Sequence, residues 1–134
     1  MYEDITHFAF ELGRFNPTQR ELEALVAVLA LIMHADDRIR LGEVAFIDRI
    51  EEGCDWQGHM GLAQYVAKKR SEAISALRSE AKLDDYIARA AAKLDSPDIQ
   101  KPVYLLADEL ANADHEVSPE EMRILEKLVE AFRD

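Results

Sequence analysis

Residues 35–43, Ala35-Asp36-Asp37-Arg38-Ile39-Arg40-Leu41-Gly42-Glu43, recur in pattern at 113–121 as Ala113-Asp114-His115-Glu116-Val117-Ser118-Pro119-Glu120-Glu121. Each copy has a small residue and an Asp closing an apolar helical stretch, a β-branched residue three positions on, and a Glu opening the next helix. The same offset aligns Val28 with Leu106, Ile32 with Leu110, Phe46 with Ile124, Ile47 with Leu125 and Ile50 with Leu128. A repeat of this length reads as two duplicated helical hairpins, not as a solenoid.

Outward from the repeat, hydrophobic spacing is helical along almost the whole chain. No stretch shows sustained period-two alternation, and the 134 residues hold only five Gly and four Pro. The expected fold is all-α: a single domain over residues 1–134, a bundle of about seven helices. A first helix spans Ile5 to Leu12. Asn16-Pro17-Thr18-Gln19 starts a second, with Asn16 as cap and Pro17 at the first helical position. Leu22, Leu25, Val26, Leu29, Ile32 and Met33 form its stripe, and Ala24, Ala27, Val28, Ala30 and Leu31 make the rest of its surface apolar too, as expected of a central, surrounded helix.

A third helix, Leu41 to Glu51, offers Val44, Ile47 and Ile50 to the core. Residues 53–61 read as a loop in which Trp56 closes over the core. Helical spacing returns through Leu62, Tyr65, Val66, Ile74 and Leu77, with a break near Ser71, and again through Leu83, Ile87, Ala90 and Leu94. Asp84-Asp85 read as opening acids of that next helix. Ser96-Pro97 starts a sixth helix carrying Val103, Leu106 and Leu110. Ser118-Pro119-Glu120-Glu121 is a capping box for a seventh, whose expected buried stripe is Met122, Leu125, Leu128, Val129 and Phe132.

Charge and composition narrow the function classes. With 27 acidic and 16 basic side chains the net charge is -11, a field that repels phosphate backbones and anionic membranes while drawing cations and basic partners. Nucleic acid is not an expected partner, and Lys68-Lys69-Arg70 reads as a solvated helix face. The longest apolar run is too short to cross a bilayer and the N-terminus lacks a signal peptide's basic region, so the expected localisation is cytoplasmic, without membrane insertion. Cys54, alone beside Asp55, suits neither a disulfide nor a reactive thiolate. No catalytic motif is present, and no enzyme activity is expected.

The acids of the repeat are the candidate site. Asp36 and Asp114 end long helices, where the macrodipole disfavours an acid by up to about 1 kcal/mol. Two readings account for their presence. In one, each Asp accepts from the amides of its own turn, a purely structural Asx-turn. In the other, Asp36, Asp37 and Glu43 in the first turn, and Asp114 and Glu121 in the second, bind a hard divalent cation: calcium, magnesium or manganese, and less readily zinc, for which His34 and His115 beside the aspartates would permit a mixed imidazole and carboxylate site. The capping box explains Glu121 without a metal. Glu43 has no such partner, because Arg40 stands at the matching cap position. Asp to Glu spans eight positions, so this is not an EF-hand loop.

The string Ala35-Asp36-Asp37-Arg38-Ile39 with Glu43, repeated as Ala113-Asp114-His115-Glu116-Val117 with Glu121, resembles the Ala-Asp-Gly-x-Ile/Val-x-x-x-Glu signature of TerB-like domains, the tellurite-resistance TerB superfamily. The likeness runs from about Glu21 to Ala131. It implies an all-helical fold with internal pseudo-twofold symmetry, and a role in tellurite resistance or chemical stress response in which the acids sense or chelate metal. Similar domains precede J-domains in some co-chaperones. The signature's Gly is Asp37 in one copy and His115 in the other; both residue types tolerate a left-handed backbone. The resulting expectation is a non-enzymatic cation-binding, sensing or scaffold module. The alternative is an interaction adaptor with structural acidic turns, whose exposed apolar groove binds a protein partner or a second copy in a homodimer.

Overall fold

Ten consecutive apolar or small residues near the start of the described chain have almost no contact with water. In a computed structural model that describes residues 18–35, 56–111 and 119–133, they belong to α1, Gln19–Ala35, which is buried at Leu22 and continuously from Ala24 to Met33. A helix apolar on every face is stable only when surrounded. α1 packs against all four other described helices: α2, Leu62–Ala76; α3, Glu80–Ala92; α4, Pro97–Ala111; and α5, Pro119–Arg133. These four follow one another around it in the spatial order α2, α3, α5, α4. The described residues contain no strand, and no helix among them is long and apolar enough to cross a membrane. The expected helices at 5–12 and 41–51, and both acidic turns of the repeat apart from Ala35 and residues 119–121, lie outside the described residues.

Helix starts follow local chemistry. α1 begins two residues later than Asn16-Pro17 suggested: Thr18 Oγ1 accepts from the Glu21 amide at 3.1 Å while Glu21 Oε1 accepts from the Thr18 amide at 2.8 Å. That reciprocal pair is a complete capping box. At α2 the Gly61 amide donates to Gln64 Oε1 at 3.3 Å, and at α3 Ser79 Oγ accepts from the Lys82 amide at 3.4 Å. Ser96 starts α4 as expected, its hydroxyl accepting from the Asp98 amide at 3.3 Å.

Several faces differ from the expected ones. α2 runs unbroken through Ser71, and Ile74 is 41% exposed because Ala73 and Ala76 supply the buried face instead. Small residues let α2 lie close to its neighbours, and the longer Ile74 turns outward. Asp84 and Asp85 lie inside α3, not at its opening: Asp85 pairs with Arg89 one turn on, and Asp84 reaches Lys127 of α5. In α5 the core face is Glu121, Ile124, Leu125 and Leu128, leaving Met122 49% exposed.

Trp56 closes over the core as expected. Its Nε1 donates to the Met60 carbonyl at 3.0 Å, and its ring lies 5.2 Å from that of Tyr65. A side chain at Gly58 would approach within 3.0 Å of both Trp56 and Gln19, so this stretch stays narrow where it crosses the start of α1.

Candidate functional site

Glu121 is the one member of the expected cation set within the described residues. It stands in the first turn of α5 and has no solvent exposure. Its position follows from helix geometry: residues 121, 124, 125 and 128 are spaced i, i+3, i+4 and i+7, so the carboxylate occupies a core place on the stripe that buries Ile124, Leu125 and Leu128. The N-terminal end of α5 favours negative charge there by roughly 0.3–2 kcal/mol. Taking a carboxylate out of water costs several kcal/mol, and the dipole offsets part of that alongside the other interactions of the Glu121 side chain. Asp36, Asp37, Glu43 and Asp114 lie outside the described residues, as do Cys54 and His115. His34, at the last turn of α1, is half-buried. Among the described residues, no three His, Cys, Asp or Glu side chains gather where they would hold a metal.

Two tyrosines anchor the helices that surround α1. The Tyr86 hydroxyl of α3 donates to the Ala27 carbonyl at 2.7 Å, and the Tyr65 hydroxyl of α2 reaches the Glu23 carbonyl at 3.5 Å. Burial, helped by Glu72, pushes Tyr86 far above the usual phenol range; burial, with Glu23 and Glu72, does the same for Tyr65. Both phenols are therefore neutral donors at physiological pH.

Between α3 and α5 lies a charged clamp. Glu80 is 3.1 Å from Arg123 and 3.2 Å from Lys127, and Lys127 also bonds Asp84. Hydrogen bonding from Lys127, then the charge of Arg123, holds the Glu80 carboxyl below the ordinary carboxylate range. The bond to Asp84 raises Lys127 above the ordinary ammonium range. These groups bridge α3 and α5 at the rim of their contact.

The basic side chains gather elsewhere. Arg20, Lys69, Lys82, Arg89 and Lys93 line a seam between α1, α2 and α3. Acids answer three of them: Lys69 with Glu72 at 3.4 Å, Arg89 with Asp85 at 3.0 Å, and Lys93 with Glu23 at 3.8 Å. Lys69 also lies over the Tyr65 ring, 5.6 Å from its centre. Of the run Lys68-Lys69-Arg70, Lys68 is exposed and the other two are half-buried, so only part of it is a solvated face.

No protein-family model, curated protein or solved structure matches this chain. The likeness to TerB-like domains therefore rests on the two acidic turns and the helical pattern around them. The sequence reading missed the row Asp108, Glu126 and Glu130 beside exposed Met122. The available signal was a second stripe in α5, Met122, Leu125 and Val129, offset from the core stripe and flanked by acids.

Proposed function

We propose that this chain is a non-enzymatic, TerB-like helical module that binds a divalent cation at its paired acidic turns and serves metal or chemical stress response as a sensing or scaffold element. Asp36, Asp37 and Glu43 would hold the ion in the first turn, and Asp114 and Glu121 in the second. The paired aspartates support this reading: in the sequence Asp36 and Asp114 close equivalent apolar helical stretches, where the macrodipole disfavours an acid, and a Glu follows each at the same spacing. The repeat puts Glu43 at the corresponding place before Phe46, Ile47 and Ile50.

A thermal-shift titration with calcium, magnesium, manganese and zinc tests the proposal. At a hundred times its dissociation constant a bound ion stabilises the fold by about 2.7 kcal/mol, on the order of 10 °C for a chain of this size. Asp36→Asn/Asp114→Asn is expected to abolish that shift. Glu121→Gln keeps the shape of the side chain and is expected to weaken the response. The reading fails when no ion at millimolar concentration stabilises the wild type more than the double variant.

A further inference from the structure

α4 and α5 leave a groove of about 560 Å³ between them. Its floor is apolar. Met122, Leu125 and Val129 of α5 line it together with Tyr104 of α4, and Met122 is half exposed. The α5 contribution, from Met122 to Glu130, follows the i, i+3, i+4, i+7, i+8 pattern of a single helix face, and at 1.5 Å per residue it is about 12 Å long, a little over two turns. The charge around the floor has one sign. Asp108 approaches from α4, Glu126 and Glu130 from α5, and among the described residues no Lys or Arg lines the groove.

These features select an occupant. An apolar strip two turns long matches a helix presenting side chains at i, i+3 or i+4, and i+7. The exposed acids Glu126 and Glu130 along the α5 wall match cations on the flank of that helix that faces them, which fixes its register and speeds its approach. A second copy of the chain is disfavoured, because it brings its own charge of -11 to an acidic groove, and the same repulsion excludes nucleic acid. Met122 suits the task, since an unbranched thioether repacks around different incoming side chains.

We propose that the α4/α5 groove is a docking site for a basic amphipathic helix of a partner protein. None of the groove's residues is among the ligands of the proposed cation site, so this site stands or falls independently of metal binding.

The probe is a fluorescein-labelled 14-residue amphipathic helix of leucine and lysine, with a second peptide carrying glutamate in place of lysine. Fluorescence anisotropy on the full chain is expected to show the lysine peptide binding at least tenfold more tightly than the glutamate peptide. Glu126→Lys/Glu130→Lys is expected to reduce its affinity at least tenfold, and Met122→Ser at least threefold. Asp85→Lys/Asp95→Lys makes the same change in net charge at exposed positions outside the groove and is expected to reduce affinity less than threefold. All these positions face water, and circular dichroism verifies that each variant keeps its helix content. Equal losses from the two double reversals would show attraction by the overall charge alone and overturn the proposal. So would glutamate-peptide binding of equal strength, or a Met122→Ser variant that binds like the wild type.

Discussion

Tyr86 shows how a single side chain holds this bundle in register. Its hydroxyl crosses from α3 to a backbone carbonyl in the middle of α1, so a polar contact fixes the height of one helix against a neighbour whose apolar surface would otherwise permit sliding. Tyr86→Phe keeps the ring and removes the donor. It is expected to lower stability by about 1 kcal/mol in urea denaturation, with the slope unchanged. Glu80 makes a pH-dependent contribution. Its carboxyl is held below the ordinary range in the folded chain, so the clamp to Lys127 and Arg123 adds stability above that range and loses it as the pH falls through the depressed folded value. Lys127 behaves oppositely: its contribution is complete at neutral pH and disappears only as the pH rises past its elevated value. Glu80→Gln should accordingly show a smaller drop in melting temperature between neutral and acid pH than the wild type. Thermal melts followed by circular dichroism measure this directly. At this scale the sequence revealed the seat of Trp56 over the core, but not the outward turn of Ile74 or Met122. Apolar character says that a side chain prefers burial; it does not say which of two adjacent apolar stripes a neighbouring helix will cover.

Among the helices, α1 was the most legible in the sequence. Continuous apolar character over three turns leaves a helix no stable place except the middle. Leu29 has no exposure, and Leu29→Ala is expected to cost about 2–5 kcal/mol, depending on how far the surrounding helices close over the space. The start of α1 was less legible, because two signals overlap there. Asn16-Pro17 and Thr18-Glu21 both satisfy the rules for a helix N-terminus, and local pattern cannot rank them; in the structure Thr18 and Glu21 make the reciprocal bonds. Thr18→Ala should therefore lower stability by about 1 kcal/mol in the same denaturation assay. Asp84 was misplaced for a related reason. Acids at the opening of a helix and acids paired across helices look identical until the cation is located, and Lys127 is 43 residues away from Asp84.

For the molecule as a whole, charge and topology act together. A net charge of -11 on 134 residues repels itself, and the ion pairs of α3 with α5 offset only part of that repulsion. Raising salt from about 10 mM to about 150 mM shortens the screening length from about 30 Å to about 8 Å, so the melting temperature is expected to rise across that range despite weaker surface pairs. The central position of α1 also governs local opening. Any of α2, α3, α4 or α5 can fray at its water-facing side while the others stay seated, but α1 touches all four and cannot be released without parting them. Backbone amides from about Leu25 to Ile32 should consequently trade hydrogen for deuterium only through complete unfolding. Their exchange rates would then give the global free energy of the protein in native buffer, without denaturant.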